Sequence, residues 1–410
     1  MTHFGLIAAA AAMLMLSQSC EKPGLDDSGN NPYKALELTT KSAEFAREGN
    51  TFAFDFLDRI NAAEEEDFII SPLSMQFLMG MLLDGAQNGT ADEICKVLGY
   101  GAGEVDAVNE YCLSMMQQLP SLDKKTKLSI ANAIFVNKQY SLKDSYRSTV
   151  GKYYLAEVAN LDFFDGAGAL KTINGWCDKQ TNGMIPKVLD EVSPDMLAYL
   201  LNALYFKSQW KEKFPKGNTA NESFTIGNGA AKKVPMMKNN GHFMYQDNNI
   251  FRVVRLPYGN GAFSMLVILP QTGKTIAEVT SALKDFDWNG FLSGMVSCDV
   301  DLWLPKFETK YSKKLNDILS DMGMPSSFTT AANFKAMSDA ALCLSFVKQD
   351  AVIKVDEEGT EAAAVSSAGV MATSAGPGQN VVFHADHPFL YLITETSSAA
   401  ILFAGKYSGK

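Results

Sequence analysis

The sequence predicts a single α+β domain, and three observations support that fold class. A helix start is indicated by Ser71, a good N-cap, and by Pro72 at the first helical position, before apolar residues at helical spacing: Leu78, Met79, Leu82 and Leu83. Apolar runs typical of strands lie at 196–207 and 389–393. The chain is 47% apolar and 20% charged, and no linker-like break interrupts 40–350, which favours one large globular domain, although a length of 410 residues alone would suggest two or three.

The segment 354–378 is neither an ordinary loop nor an ordinary strand. It begins with charged residues around Gly359, continues with small residues over 362–368, and ends in Gly-Pro-Gly at 376–378. A strand usually carries larger apolar side chains. The composition predicts an exposed loop that is also able to become a buried strand. A flexible linker rich in Ala and Ser is a commoner explanation of such composition, and it stays open at this point.

The alternation of side chains in this segment is compatible with burial as a strand, because neighbouring residues of a strand point to opposite faces. One face would carry no charge and no bulky group: Thr360, Ala362, Ala364, Ser366, Ala368, Val370 and Ala372. The other face would carry the only charge, Glu361. The first face could therefore be buried without the cost of several kcal/mol that an unpaired buried charge brings.

Two motifs near the C-terminus identify a family. The apolar, Pro-containing run at 383–393 resembles the C-terminal signature of the serpins, and VDEEGTEAAA at 355–364 is similar to the hinge that begins the reactive-centre loop of inhibitory serpins. Near the N-terminus, Ser71-Pro72-Leu73-Ser74 and the Gly-Ala to Gly-Thr stretch at 85–90 match the family as well. The resemblance covers about 36–407.

The middle of the chain continues the resemblance. The stretches 173–176 and 181–185 are similar to the helix and turn that precede a long central strand, here 196–207. Trp210 and Phe214 follow that strand, although each aromatic taken alone is explained equally well by core packing. The resemblance assigns four residues to the breach and shutter, where the sheet opens to take up the loop: Trp210, Ser71, Ser74 and Asn202.

The resemblance implies a serpin fold with three β-sheets, among them a large, mostly antiparallel central sheet A, and eight to nine helices. It implies one domain over 36–410, with an exposed reactive-centre loop at about 357–382. The hinge would comprise Glu357, Glu358, Gly359, Thr360, Glu361, Ala362, Ala363 and Ala364.

The implied function is suicide inhibition of serine proteases. A target protease attacks the loop and forms an acyl-enzyme, and the cut loop then inserts into sheet A of a metastable native state and carries the protease with it. The hinge has neither a charge nor Pro at its inward positions, which favours insertion. The alternative is a non-inhibitory serpin that acts as a binding or chaperone module.

The spacing usual in the family, counted from Glu357, puts the reactive bond between Thr373 and Ser374. Because the chain beyond Ser374 is longer than is common, three neighbours remain alternatives: Val370, Met371 and Ala372. The loop contains no Lys or Arg, and a trypsin-like protease needs a basic residue for its acidic pocket. We therefore expect elastase-like or subtilisin-like targets, with papain-like cysteine proteases as a further class.

The N-terminus reads as an export signal. The apolar run 4–16 is too short to span a bilayer. Together with the residues from Leu16 to Cys20, this run resembles a bacterial lipoprotein signal over 1–19. Such a signal is cleaved before a lipid-modified cysteine, here Cys20, and a flexible tether would follow at 20–35. The first three residues lack Lys and Arg, and a simple secretory signal is the alternative. The expected location is the bacterial outer membrane, facing the periplasm or the exterior, with secretion as the alternative.

Composition also excludes several classes of function. The net charge of −10 argues against a nucleic-acid partner. The sequence contains only four histidines and no catalytic or phosphate-binding motif, so we expect no enzyme, no cofactor and no metal site. Besides Cys20 there are five irregularly spaced cysteines, which favours buried thiols over a disulfide framework. We expect a monomer that meets the membrane only through its lipid.

Overall fold

The computed structural model describes residues 29–227, 229–360 and 380–410. The α-helices in those ranges are α1 (Thr40–Ala63), α2 (Pro72–Gly85), α3 (Gly89–Leu98), α4 (Val105–Gln118), α5 (Asp144–Tyr153), α6 (Gly166–Gln180), α7 (Ile276–Leu283), α8 (Trp288–Ser293) and α9 (Asn316–Met322). The strands there are β1 (Phe68–Ile70), β2 (Lys127–Asn137), β3 (Glu157–Leu161), β4 (Ala198–Gln209), β5 (Ala220–Thr225), β6 (Ala231–Asp247), β7 (Phe251–Tyr258), β8 (Phe263–Pro270), β9 (Val296–Pro305), β10 (Phe307–Lys314), β11 (Lys348–Asp356), β12 (Gly359–Thr360), β13 (Asn380–His384), β14 (Phe389–Glu395) and β15 (Ile401–Tyr407).

The predicted helix start at Ser71 is confirmed. The Ser71 side chain accepts a hydrogen bond from the Ser74 N–H, and Pro72 opens α2. All of α2 is buried except Asp84, which is partly buried, so this helix lies inside the core and is not amphipathic. The predicted central strand at 196–207 is β4, and its bounds lie two residues further along the chain.

Among the described residues, sheet A has six strands in the order β10-β11-β12-β4-β2-β3. Every neighbouring pair in it is antiparallel except β2 with β3. The prediction of a mostly antiparallel sheet A is therefore confirmed. Its longest pairing joins β2 and β4, which pair along almost their whole length, from Lys127 opposite Lys207 to Val136 opposite Ala198.

The three sheets expected from the resemblance are joined into two in the described ranges. The other sheet has nine strands, β1-β15-β14-β8-β7-β6-β9-β13 with β5 paired to β6. The long strand β6 pairs with β5, with β9 and with β7 along successive parts of its length. Because one strand belongs to both of the remaining sheets, their hydrogen bonding is continuous.

Sheet A separates two apolar layers. On its inner face Leu204 and Phe206 of β4 and Ile353 of β11 join the main core, which also contains α2. On its outer face Phe135 and Tyr199 form a smaller core with α6 and the chain that follows it. The two faces of the strands differ because successive side chains of a strand alternate.

The chain already contacts the folded domain before residue 36, the predicted domain boundary. The Asn31 side chain already donates to the Leu122 carbonyl at 2.9 Å, and its oxygen accepts from the Lys124 N–H at 2.7 Å. The signal at 1–19 and Cys20 lie outside the described residues. In the described part of the chain, no helix is long and apolar enough to cross a membrane.

Candidate functional site

The candidate site is a gap between two strands of sheet A. Within the described ranges, β4 and β11 pair with the two-residue strand β12 and not with each other. Below β12, cavities separate the two strands, lined by residues 200–206 on one side and 348–354 on the other. Both strands therefore present an open edge of backbone groups toward the gap, where a further strand could pair on both sides.

Gly359 closes the top of the gap by a close approach between backbones. A Cβ atom at this position would lie 2.1 Å from the Ser208 carbonyl oxygen and 2.7 Å from the Gln209 Cα. Its φ of +156° is also one that side-chain-bearing residues rarely adopt. Only glycine fits here without moving the backbone of β4 or of the hinge.

Thr360, the next residue, points into the core. Its side chain is 2% exposed, and its hydroxyl lies 2.5 Å from that of Tyr258, which is fully buried. Burial raises the pKa of the Tyr258 phenol, so it stays protonated and able to donate. The first inward residue of the predicted hinge is thus already seated between β4 and β11.

Trp210 ties the hinge to the end of β4. Its indole N–H donates to the Asp356 carbonyl at 2.8 Å, and its backbone N–H donates to the Glu358 carbonyl at 2.9 Å. Its ring stacks on Tyr258 at 4.4 Å between centroids. The Trp210 assigned to the breach from the resemblance therefore contacts the hinge directly.

Three lysines hold the two glutamates of the hinge. Glu357 lies 2.9 Å from Lys306, and Glu358 lies 2.8 Å from Lys213 and 3.0 Å from Lys216. Burial works to raise the pKa of Glu357, but the bonds from Lys306 and from the Thr219 hydroxyl outweigh it and the pKa is lowered. The pKa of Glu358 is lowered chiefly by the hydrogen bond from Lys213. Both carboxylates are ionised partners at neutral pH.

A polar network crosses the inner face of sheet A beneath the middle of the gap. Gln349 of β11 exchanges two hydrogen bonds with the Ser71 backbone, at 3.0 and 2.9 Å. The Ser74 hydroxyl donates to Asn202 of β4, whose amide donates to Asn132 of β2 at 2.7 Å. The start of α2 therefore connects the two strands that face each other across the gap.

The structure groups the predicted residues at two points of one gap. Trp210 lies with the hinge residues 357–360 at the top, and Ser71, Ser74 and Asn202 lie together lower down. The partners of these residues were not predicted from the sequence: Tyr258, Gln349, Asn132, Lys213, Lys216 and Lys306. They come from elements distant in the sequence, and no local pattern marks them. The remaining predicted positions, 361–364 of the hinge and 370–374 around the reactive bond, lie outside the described residues.

The described histidines are occupied by carboxylate neighbours. His384 Nε2 lies 2.8 Å from Asp301, and His387 Nδ1 lies 2.9 Å from Asp386. Across 29–227, 229–360 and 380–410, no group of three or more His, Cys, Asp or Glu side chains is placed to hold a metal ion. Four of the five cysteines described are buried free thiols, as predicted, and Cys343 is exposed.

The chain matches one family model, described as serpin (serine protease inhibitor), over residues 47–409. It is 33% identical to an uncharacterized serpin-like protein of Thermococcus kodakarensis, over 87% of this chain and 84% of that protein. It is also 33% identical to human Serpin B3, over 88% of this chain and 98% of that protein.

Solved structures agree with these sequence matches. The native form of the thermophilic serpin tengpin superposes with a TM-score of 0.83 at 27% identity, over 93% of this chain and 97% of that one. Thyroxine-binding globulin, in its complex with thyroxine, gives 0.79 at 26% identity, over 88% and 98% of the two chains.

Proposed function

The chain belongs to the serpin family, and from that premise we propose that it is an inhibitory serpin. It would trap serine proteases as covalent acyl-enzymes by inserting its cleaved reactive-centre loop into sheet A. The observation that carries this proposal is the gap between β4 and β11, closed only at its top by β12 among the described strands. Family membership alone supports protease inhibition in general and specifies neither the mechanism nor the target.

The register of β12 supports insertion of the segment that follows it. Thr360 is opposite Ser208 on β4 and opposite Val355 on β11, antiparallel to both strands. If that register continues one residue at a time, residue 370 reaches Ala198, where β4 begins. A strand over 361–370 would then fill the gap, with partners on β11 as far as Lys348.

The side chains of such a strand would suit both faces. Because Thr360 points into the core, every second residue after it would do so too, and these are small: Ala362, Ala364, Ser366, Ala368 and Val370. In the same register Ser366 falls opposite Gln349 and Asn202, the two ends of the polar network beneath the gap. The only polar side chain among these inward positions would meet the polar part of the core.

The free energy available from insertion is large enough for the proposed work. A strand of about ten residues that pairs on both sides adds roughly ten net backbone hydrogen bonds at ~1 kcal/mol each. A native state that leaves this energy unused is metastable and is held by a kinetic barrier. The same energy would be available to distort the active site of an attached protease.

The proposed targets follow from the composition of the reactive-centre loop. The segment 361–379 contains no Lys or Arg, so we infer elastase-like or subtilisin-like serine proteases, and papain-like cysteine proteases as a further class. We place the reactive bond at Thr373–Ser374, by the same count from Glu357 as above.

Lipid attachment at Cys20 would keep the inhibitor at the outer membrane of a bacterial cell. Palmitate labelling of the unchanged protein that is lost in Cys20→Ser would support that attachment. An absence of labelling in the unchanged protein would refute it.

The proposal is tested by mixing the protein with elastase and separating the products on a denaturing gel. A stable band at the summed mass of both proteins is expected. The matched control is Thr360→Arg, which would have to bury a charge in the core and should be cleaved without forming the complex. Cleavage of the wild-type protein without any complex would favour a non-inhibitory binding or chaperone module, the alternative that the likeness to thyroxine-binding globulin keeps in view.

A further inference from the structure

The residues before α1 lie as an arm on the folded body. This arm, residues 29–39, is bound at both ends. At its start the Asn31 side chain bridges the Leu122 carbonyl and the Lys124 N–H, at 2.9 and 2.7 Å. At its end the Leu36 N–H donates to the Ser397 hydroxyl at 3.0 Å, and Glu37 exchanges two bonds with Gln118.

The start of the arm meets the turn between β7 and β8. The Asn260 side chain in that turn donates to the Leu122 carbonyl at 2.8 Å and lies 3.2 Å from the Asn31 carbonyl. The same amide therefore contacts the arm and the loop that follows α4. These three chain segments are joined at one point.

Asp123 lies directly below this junction. It is 1% exposed, and its carboxylate accepts from the Thr126 hydroxyl at 2.9 Å and from the Asn260 N–H at 3.3 Å. A Cβ atom on Gly259 would lie 1.8 Å from the carboxylate oxygen, so the turn is packed against it. Gly259 has a φ of +44°, a conformation that glycine adopts readily.

Two residues packed against Asp123, Thr126 and Gly259, connect it to the hinge. The Thr126 hydroxyl lies 2.7 Å from that of Ser208, and Ser208 is the residue of β4 opposite Thr360. Gly259 follows Tyr258, whose hydroxyl contacts Thr360 from the core side. A continuous set of contacts therefore runs from the arm through Asp123 to the first inserted residue of sheet A.

We propose that the arm is a latch for the hinge. Asn31, when seated, holds the 122–126 loop and the 258–261 turn, and these in turn hold Ser208 and Tyr258 against Thr360. Release of the arm lowers the barrier to opening the gap. The effect of the latch on inhibition rests on the proposed loop-insertion function. Through the latch, a pull on the chain before residue 29 acts at the hinge end of sheet A.

The first test needs no protease and no insertion. Hydrogen–deuterium exchange is followed in the peptide that covers 354–360, in the full chain and in two variants, Asn31→Ala and Asn260→Ala. We expect exchange about five-fold faster in both variants, because each loses at least one net hydrogen bond of the junction. Exchange in Asn31→Ala equal to that of the unchanged protein overturns the latch, whatever the inhibitory mechanism.

The matched control is Asn248→Ala. Asn248 shapes the β6–β7 turn, where its side-chain oxygen accepts from the N–H groups of Ile250 and Phe251 at 2.8 and 2.9 Å. This turn joins two strands of the same sheet as the Asn260 turn, but among the described residues Asn248 forms no hydrogen bond with the arm. We expect hinge exchange within two-fold of the unchanged protein, and an equal acceleration in this control would mean general loosening and would overturn the latch.

A second measurement links the latch to insertion. The uptake of a fluorescent peptide with the sequence of 360–372 is timed in uncleaved protein, and it should be several-fold faster in Asn31→Ala than in Asn248→Ala. If no protein takes up the peptide, including the unchanged one, the insertion function fails, and the exchange experiment still decides the latch. Equal uptake in both variants contradicts the latch.

Discussion

The hydroxyls of Tyr258 and Thr360 lie 2.5 Å apart inside the core, although the two residues belong to different sheets. Trp210 covers the ring of Tyr258 and also bonds to the Asp356 carbonyl. The hinge is therefore held both through its backbone and through its first buried side chain. Its stability therefore depends on the second sheet as well as on sheet A.

We predict that Tyr258 and Thr360 are energetically coupled. Tyr258→Phe keeps the stacked ring, and Thr360→Val keeps the volume, so the double variant replaces both hydroxyls without leaving one unpaired. Each single variant should lower the free energy of unfolding, and the coupling between them should be about 1 kcal/mol. Urea unfolding of the four proteins measures this value, and strictly additive effects would contradict the bond.

Gly359→Ala should expel the hinge from the top of sheet A. The new Cβ would meet backbone atoms of Ser208 and Gln209, which cannot rotate away as a side chain could. We expect faster hydrogen exchange over 356–360 and a change in Trp210 fluorescence. Gly175→Ala in α6 is the control, because a Cβ there meets nothing within 4 Å; a hinge unchanged in Gly359→Ala would show that the backbone adapts.

Acid should loosen the hinge. The pKa values of Glu357 and Glu358 are lowered from the ordinary carboxyl value of 4.5. Their ion pairs therefore contribute stability above that value and lose it as the pH falls through the lowered pKa values. After correction for the intrinsic exchange rate, which itself falls with pH, the exchange of the hinge peptide should rise below about pH 4.5. Lys306→Met should raise exchange at neutral pH and reduce the acid response, and an unaltered pH profile would contradict this assignment.

Asp84→Asn should stabilise the protein at neutral pH. Burial raises the pKa of Asp84 to about 6, against the hydrogen bond from Asn109 that favours the charge. A raised carboxyl pKa lowers stability above about pH 6, and this cost is absent below the ordinary value of 3.8. The gain in unfolding free energy should be on the order of 1–3 kcal/mol at pH 7. It should shrink toward pH 4, and a gain independent of pH would exclude this cause.

Thr373→Arg should redirect inhibition to trypsin, because a basic residue before the cut bond pairs with the acidic pocket of that protease. A covalent complex with trypsin on a denaturing gel is the expected result. Arg placed at 370, 371 or 372 serves as the comparison. Complex formation only by one of those variants would move the reactive bond from Thr373–Ser374 to that position.

Local chemistry made part of the fold predictable. The N-cap at Ser71 and the strand predicted to end at residue 207 depend on neighbours in the sequence; the first is confirmed, and the second lies two residues further along the chain. The joining of two expected sheets through β6 could not be predicted, because it depends on how one long strand divides its hydrogen bonds among three partners.

The character of the hinge follows from local sequence: a glycine is followed by Thr360 and then by small, uncharged residues at alternate positions. The position of the hinge between two strands of sheet A could not be predicted, because it depends on contacts between distant parts of the chain. The gap exists because β4 and β11, far apart in the chain, are bridged by two residues alone in the described sheet. Tyr258 and the lysines that hold the hinge are brought to it by long-range packing, which no local pattern of residues encodes.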